Sequence, residues 1–221
     1  MQMQFKIDID EAVRYMGYRS APDEEQMKLI SQRARLIEET IKPAVIYKVF
    51  DTEETTDGIK LRMTNITLEG EDIKRHLAGC GKCVLMCATA GLKADEMIRR
   101  AQAEDISLGF ITDALASAAV EAVCNELERR LKETLDNWYF TWRFSPGYGD
   151  LPLSVQPGII EVLDAPKRAG VSCLDSLLMV PSKSVTAVIG LSHEPIEDKR
   201  RGCSICSMAG RCDFRKRGIH C

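Results

Sequence analysis

The stretch Ala44–Met63, "AVIYKVFDTEETTDGIKLRM", decides the fold class, because it has the pattern of two strands joined by a turn. "AVIYKVF" is apolar and rich in β-formers, "DTEETTDG" is a polar turn with hairpin residues, and "IKLRM" is the return strand. A second hairpin is predicted over 176–192, "SLLMVPSKSVTAVIGLS", with its turn at Pro181–Ser184. A buried strand is predicted at 82–91, and residues 138–144, "WYFTWRF", are aromatic and β-prone.

Helices flank these strands. The N-terminal part, residues 1–43, is predicted to be helical, and the face of its second helix carries Met27, Ile30, Ala34, Ile37 and Ile41. Further helices are predicted over 69–81, 93–105, 108–137 and 156–170. Strands that occur as hairpins as well as between helices favour an α+β fold with a mixed or antiparallel sheet, rather than a doubly wound parallel one.

Composition excludes several classes of function. The chain has 221 residues, and its net charge of −3 provides no basic field for nucleic acid. The N-terminus lacks the pattern of a signal peptide, and we find no continuous run of about 18–20 apolar residues that would span a bilayer. We therefore expect a cytoplasmic protein with neither a membrane nor a nucleic-acid partner. Its nine cysteines are expected to be reduced thiols or metal ligands.

Glu121 is the first candidate for a binding residue. It is the only charge in Ala114–Cys124, "ALASAAVEAVC", which is small and apolar on every side, as a buried helix is. A buried carboxylate without a partner costs several kcal/mol, so Glu121 should have one. The alternatives are a structural ion pair, an exposed helix edge, or a carboxylate that faces a ligand.

Arg143 and the loop after it are the second candidate. "WRFSPGYGDLPLSVQP" (142–157) places an arginine between aromatic residues and then enters a glycine-punctuated loop. Arginine offers a planar fork for a carboxylate, Pro146 fixes its own φ, and Gly147 and Gly149 permit close backbone approach. The loop is either an ordinary connection or a site that presents backbone groups to a small zwitterion.

Several ordered motifs resemble the activation domain of vitamin B12-dependent methionine synthase, which binds S-adenosylmethionine (AdoMet). "RFSPGYGDLPLS" is similar to that family's Arg-x-x-x-Gly-Tyr motif, and "DSLLMVPSKSVTAVIGLSH" is similar to its Met-x-Pro turn and closing Ser-His. "AAVEAVCNELERR" resembles the helix that carries the family's AdoMet-contacting Glu, and "LAGCGKCVLMCATAG" resembles a stretch of its stand-alone bacterial form. The resemblance runs from about Leu77 to His193 and implies the same α+β fold.

The resemblance also implies roles for individual residues. Glu121 would face the amino or ribose part of AdoMet, and Arg143 would pair with its carboxylate. The loop residues Ser145, Pro146, Gly147 and Tyr148 would complete the site, mainly through backbone contacts. The chain departs from the family in two places: no segment matches its N-terminal acidic ligand, and Ile189-Gly190-Leu191 stands where the family has an aromatic residue before Ser-His.

A cysteine-rich basic tail follows the predicted domain. We expect a domain over residues 1–194, with an AdoMet-binding core over 77–193, and a separate tail over 195–221. In the tail, Cys203, Cys206, Cys212 and Cys221 have the spacing C-x2-C-x5-C-x8-C, with His220 as a substitute for the last. Thiolates in this pattern suit zinc or a [4Fe–4S] cluster, and nearby basic residues favour the thiolate. The alternative is a disordered basic tail.

The other cysteines and histidines receive structural interpretations. Cys80, Cys83 and Cys87 have the spacing C-x2-C-x3-C rather than the C-x3-C-x2-C of radical AdoMet enzymes. Because "VLM" reads as strand, Cys83 and Cys87 would lie about 13 Å apart on one face, so buried core thiols are favoured. His76 and His193 are expected to be structural or exposed.

The resemblance implies a reactivation component for methionine biosynthesis. Such a protein holds AdoMet while an electron donor, such as flavodoxin or ferredoxin, supports reductive methylation of cob(II)alamin. The chain has no modules for corrinoid, folate or homocysteine, so the cobalamin would be on a partner methionine synthase that lacks its own activation domain. The alternatives are an AdoMet-binding or zinc-tailed regulatory module, and an activator of another corrinoid methyltransferase.

Overall fold

The computed structural model describes residues 3–18, 20–196 and 210. The helices of the described chain, in order, are α1 Ile9–Tyr15, α2 Glu24–Thr40, α3 Glu71–His76, α4 Leu92–Glu104, α5 Ile106–Thr134, α6 Gln156–Val162 and α7 Ala165–Arg168. The strands are β1 Ala44–Glu54, β2 Gly58–Leu61, β3 Thr67–Glu69, β4 Lys82–Thr89, β5 Tyr139–Phe140, β6 Ser172–Cys173, β7 Met179–Val180 and β8 Ser184–Ser192.

Six strands form one sheet in the order β3-β2-β1-β4-β8-β5, and β6 and β7 form a second, two-stranded sheet. The pairs β1–β2, β2–β3 and β5–β8 are antiparallel. The α+β fold class predicted from the hairpin at 44–63 is confirmed. The polar turn is shorter than predicted, because Thr52, Glu53 and Glu54 pair with residues of β2 and extend β1 into it.

The predicted hairpin over 176–192 is wrong. Its first strand, β7, pairs antiparallel with β6, the strand that precedes it in the chain. Its second strand, β8, belongs to the large sheet. The chain reverses before β7, where Leu177 has a positive φ of 66° and its N–H donates to Leu174. Pro181 then cannot continue a ladder, because it has no N–H to donate. Composition alone did not distinguish the hairpin turn at Leu174–Leu177 from the predicted turn at Pro181–Ser184.

By internal contacts the chain divides into two compact units. The first comprises the described residues of Met1–Ile46, Cys87–Thr134 and Asp164–Val185, and the second those of Tyr47–Met86, Leu135–Leu163 and Thr186–Cys221. The domain limit expected at 194/195 stays a prediction, since most residues after Ile196 lie outside the described ones.

In the first unit, α1, α2 and α4 pack on α5. Helix α2 begins with a capping box, in which Asp23 and Gln26 each accept a hydrogen bond from the other's backbone N–H. The apolar face predicted for this helix is confirmed: Ile30, Ala34, Ile37 and Ile41 are buried and Met27 is partly buried in the same core. Burying four such side chains is what fixes the helix, because propensity alone rarely stabilises one of this length.

Helix α5 carries buried residues at intervals from Gly109 to Leu131. Thirteen of its residues are buried, including Leu115, Ala119, Val123, Leu127 and Leu131, which follow one another at intervals of four along one face. By length and composition alone it is also the one helix of the described chain that is apolar enough to cross a membrane. The helix contains no continuous apolar run of about 18–20 residues, because Asp113 and Glu121 interrupt it. Half of the relevant window is buried inside the protein.

In the second unit, α3 packs on β2 and β3 and supplies Ile73 and Leu77 to the interior. A 3-10 turn at Leu153–Val155 leads into α6, whose Ile159 is fully buried. The helix predicted over 156–170 is interrupted at Asp164, which has the left-handed φ of 54° and separates α6 from α7.

Gly190 in β8 is a point of close backbone packing in the second unit. Its N–H donates to Thr141 Oγ1 at 2.7 Å, and its carbonyl accepts from Thr141 N at 3.0 Å. A Cβ added here would lie 2.6 Å from Cys80 Sγ and 2.9 Å from a methyl carbon of Leu77. The position therefore excludes any side chain.

We predict that Gly190→Ala lowers the free energy of unfolding by about 1–3 kcal/mol, the usual cost of overpacking a core. Urea denaturation measures it. Gly81→Ala is the matched control, because nothing lies within 4 Å of its added Cβ, and it should change stability by less than about 0.5 kcal/mol. Equal effects of the two substitutions would contradict the packing argument.

The cysteines of β4 are core thiols, as predicted. Cys83 and Cys87 are fully buried, and burial raises the pKa of each thiol to about 12. At pH 9 only about one such thiol in a thousand is ionised, and the thiolate is the reactive form.

We therefore predict that iodoacetamide at pH 9 leaves Cys83 and Cys87 unmodified in the folded protein, and alkylates both after unfolding in guanidinium. Peptide mass spectrometry assigns the sites. Cys173 is only partly buried and serves as the internal control that reacts in the folded state. Alkylation of Cys83 at the same rate as Cys173 would disprove the prediction.

Candidate functional site

Glu121 lies on α5 in the first unit and lines a cavity of about 380 Å³. The side chains of the helix are small and apolar here, and Ala118, Ala119 and Val120 are buried. Glu121 is the one charged residue of Ala114–Cys124, and it is partly buried. The complete lining is Tyr15, Ser117, Val120, Glu121, Ser182, Lys183 and Ser184. The polar part of the wall is thus made of hydroxyl groups, one carboxylate and one ammonium group, and Val120 adds an aliphatic side chain.

The turn Pro181–Ser184 forms one wall of this cavity and is fixed by side chains from other elements. The backbone N–H and the hydroxyl of Ser182 donate to the two carboxylate oxygens of Asp95, at 3.0 and 2.6 Å. The Ser184 hydroxyl lies 2.8 Å from Thr89 Oγ1. These bonds hold the turn to α4 and β4, so its side chains have defined positions before any ligand arrives.

Lys183 brings a cation into the cavity. Its Nζ lies 2.9 Å from Ser117 Oγ and 2.9 Å from Asp113 Oδ1, and only 16% of its side chain is exposed. Both partners are on α5, one and two turns before Glu121. Sequence reasoning missed Lys183, because the resemblance assigned no role to this residue of the turn. A lysine placed between two serines in a tight turn was the signal available.

Tyr15 at the end of α1 closes the same cavity. Its hydroxyl donates to Glu11 Oε1 at 2.8 Å. Burial, this hydrogen bond and the carboxylates of Glu11 and Glu121 all raise the pKa of the Tyr15 hydroxyl. The group therefore stays protonated at physiological pH.

Arg143 lies in the second unit, between Trp142 and the buried Phe144, which bridges to Val188 of β8. Residues 138–144 were predicted to be β-prone, and only Tyr139 and Phe140 of this segment form a strand. The loop then folds back on itself: Tyr148 N donates to Ser145 O at 3.0 Å, and Gly147 N to Leu151 O at 2.9 Å. Gly147 has a φ of 87°, which explains the need for glycine there.

An aromatic cluster supports the strand end that carries Arg143. The ring of His76 lies 4.7 Å from Trp142 and 5.0 Å from Phe144, and the exposed Tyr148 meets Phe144 edge-on at 6.2 Å. Thr141 Oγ1 lies 2.8 Å from His76 Nε2. The structural role expected of His76 is confirmed, since it is buried and hydrogen bonded. The exposed His193 stacks on Trp138, with ring centroids 3.7 Å apart.

Asp150 anchors the loop to α3 and was not predicted. Its carboxylate accepts from the backbone N–H groups of Glu71 at 2.7 Å and Asp72 at 3.0 Å, at the start of the helix. Gly149 packs so closely on Asp72 that a Cβ at 149 would overlap the carboxylate. Because His76 ends the same helix, α3 holds the loop at one end and the aromatic cluster at the other.

The predicted binding residues thus lie in two places. The Arg143 loop, with Ser145, Pro146, Gly147 and Tyr148, belongs to the second unit, and Glu121 belongs to the first. Among residues 3–18, 20–196 and 210, no group of three or more His, Cys, Asp or Glu side chains is arranged to hold a metal ion. The predicted ligands Cys203, Cys206, Cys212 and Cys221, and the substitute His220, lie outside the described residues.

Comparison with known proteins identifies the fold. No protein-family model and no curated protein sequence matches the chain. Among solved structures, the chain is similar to a crystal structure of the MetH reactivation domain bound to AdoHcy, with a TM-score of 0.63. The match covers 99% of this chain and 88% of that one, at 16% sequence identity. The activation-domain fold expected from the motifs is confirmed, whereas the stand-alone bacterial form stays a prediction.

We predict that Asp150→Ala frees the first amides of α3 and lowers the free energy of unfolding by about 0.5–2 kcal/mol, as loss of a helix cap does. Hydrogen exchange should accelerate at Glu71 and Asp72 and across 145–149. The exposed Asp136, in the turn after α5, is the control, and its replacement by alanine should leave these amides unchanged. Unchanged exchange in Asp150→Ala would contradict the anchoring role.

Proposed function

We propose that this protein binds AdoMet and serves as a stand-alone reactivation component for a cobalamin-dependent methionine synthase. The observation that carries the proposal is the fold, which matches that of an AdoHcy-bound reactivation domain over nearly the whole chain. AdoHcy is AdoMet without its transferable methyl group, so a site for one accommodates most of the other.

The residues of this chain suit such a ligand. AdoMet carries an amino acid zwitterion, a ribose, an adenine and a sulfonium. Arg143 offers a bidentate partner for the carboxylate, and the exposed ring of Tyr148 offers an aromatic surface on the same loop. Glu121 supplies a carboxylate for the amino group or the ribose. Backbone groups of Ser145, Pro146 and Gly147 complete the proposed set.

The proposed contribution of the protein is positioning. A one-electron donor, such as flavodoxin or ferredoxin, reduces the cob(II)alamin of the partner. The sulfur–methyl bond of AdoMet breaks, a cobalt–carbon bond forms on the partner, and AdoHcy is released. The chain orients the sulfonium toward the partner and needs no acid or base of its own, because no proton moves in this transfer.

We predict that Arg143→Ala weakens AdoMet and AdoHcy binding at least about tenfold, through loss of a charge-assisted pair with the ligand carboxylate. Isothermal titration calorimetry of both ligands measures the effect. Arg62→Ala is the matched control, because this arginine of the same unit is 60% exposed and pairs with Glu53 on the surface. Unchanged affinity in Arg143→Ala would refute the assignment of this residue.

Reactivation itself is tested by mixing the protein, AdoMet and a reductant with a cob(II)alamin methyltransferase and following the cobalamin spectrum. We expect methylcobalamin with a methionine synthase that lacks its activation domain. Methylation of only another corrinoid protein would instead support the activator alternative. Tight AdoMet binding without methylation of either would support the regulatory module.

The proposal also includes a metal or cluster site in the cysteine-rich tail and a cytoplasmic location. Cys203, Cys206, Cys212 and Cys221 would hold a [4Fe–4S] cluster or zinc, and a cluster there would be an entry point for the electron. Metal and labile sulfide analysis of anaerobically purified protein distinguishes the two, and absence of iron, sulfide and zinc would remove the idea. The proposed site of action is the cytoplasm.

A further inference from the structure

Arg143 lies in a β-bulge at the edge of the large sheet. The register of β5 on β8 pairs Phe140 with Leu191, so a regular ladder would place Arg143 opposite Val188. Phe144 takes that place instead, and it exchanges both backbone hydrogen bonds with Val188, at 2.9 and 2.8 Å. The chain therefore carries one extra residue between these pairs. Such an insertion bends the strand and re-aims a side chain, and it is common beside functional sites.

The side chain of Thr141 holds the start of the bulge. Its backbone N–H donates to Gly190 O at 3.0 Å, as in a regular antiparallel pair. In such a pair the N–H of Gly190 would donate to the carbonyl of Thr141, but here it donates to Thr141 Oγ1 at 2.7 Å. The hydroxyl in turn donates to the carbonyl oxygen of Trp142 at 3.2 Å. The hydroxyl thus contacts the peptide group that joins Trp142 to Arg143.

His76 supports the same hydroxyl from α3. Its Nε2 lies 2.8 Å from Thr141 Oγ1. Because the one hydroxyl hydrogen goes to the carbonyl of Trp142, the Nε2–H tautomer is assigned to His76, and the hydroxyl oxygen accepts from it and from Gly190. The imidazole ring also packs on Trp142 and Phe144. His76 and Thr141 are 5% and 7% exposed, so little water reaches these bonds to replace them.

The bulge matters because an arginine that pairs with a carboxylate needs a fixed direction. Two parallel N–H···O bonds form only when the guanidinium plane meets the carboxylate edge-on. A displacement of about 1 Å at a positioned group can cost a large part of its effect. The direction of Arg143 therefore depends on the groups that keep the extra residue in place.

We propose that Thr141 and His76 are positioning residues, which hold the bulge and thereby aim Arg143 at the carboxylate of AdoMet. The inference rests on the proposed function and adds the groups that set the direction of its arginine. Neither positioning residue contacts the ligand in this proposal. All three residues belong to the second unit.

The test is calorimetric binding of two ligands to the wild-type protein and to Thr141→Val. AdoHcy carries the amino acid group, whereas 5′-methylthioadenosine has the nucleoside and the sulfur without it. We expect Thr141→Val to weaken AdoHcy about fivefold, the effect of one lost hydrogen bond, and to leave methylthioadenosine unchanged. Thr141→Ser retains the hydroxyl and should bind both ligands as the wild type does.

Two further variants test whether the effect passes through Arg143. Combined with Arg143→Ala, Thr141→Val should cause no additional loss of AdoHcy affinity, because the group that it positions is already absent. His76→Phe keeps a ring against Trp142 and Phe144 and removes the hydrogen bond to Thr141. It should weaken AdoHcy about threefold and spare methylthioadenosine, and it decides the question where circular dichroism shows that Thr141→Val does not fold.

Thr64→Val is the matched control. The Thr64 hydroxyl likewise accepts from a backbone N–H, that of Ile66 at 3.0 Å, and donates to a carbonyl, that of Leu61 at 2.8 Å. It lies in the turn between β2 and β3 of the same unit. Its replacement removes the same set of bonds away from Arg143 and should leave both affinities unchanged.

The outcomes separate this inference from the proposed function. Equal weakening of AdoHcy and methylthioadenosine by Thr141→Val would indicate a general loosening of the fold and overturn the positioning role. An unchanged AdoHcy affinity, or an additive loss in the double variant, would overturn it as well and leave AdoMet binding intact. A wild-type protein that binds neither AdoMet nor AdoHcy would overturn both the inference and the proposed function.

Discussion

The burial of α5 is the constraint on which the first unit depends. A helix that is small and apolar on every side cannot face water, so it has to be covered on several sides at once. In this protein α1, α2 and α4 pack against it, and each contributes an apolar face to one shared core. The small side chains at Ala114, Ala118 and Ala119 permit close approach. The same arrangement makes a carboxylate at Glu121 exceptional.

That constraint explains why the polar groups near Glu121 come from several elements. A charge beside an apolar core is tolerated only with polar neighbours, because its desolvation is costly. Here they are the serines and lysine of a turn that precedes β8 and a tyrosine at the end of α1. Each is held by a further residue: Ser182 by Asp95, Lys183 by Asp113 and Tyr15 by Glu11. A rigid polar cavity is the result, and rigidity is what a site needs to select among ligands.

Local patterns predicted the elements well and their partners less well. The amphipathic face of α2 and the buried strand β4 could be predicted, because burial imposes a period on the residues themselves. Whether β7 pairs with β6 or β8 depends on a left-handed backbone at Leu177, which leaves little trace in composition. Asp150 was missed for a similar reason. Its partners, the amides of α3, are some 80 positions away, and no spacing rule connects them.

The motif residues of the candidate site could be predicted from the sequence, whereas the residues that hold the loop in place could not. Arg143 and Tyr148 belong to a recognisable sequence, whereas the loop holds its shape through Asp150, Gly149 and the ring of His76. Gly190 shows a related packing requirement, since Cys80 and Leu77 occupy the space that a side chain at this position would need. In the proposed binding mode Tyr148 would provide the stacking surface, since its ring is exposed and packs edge-on against Phe144 and Trp142.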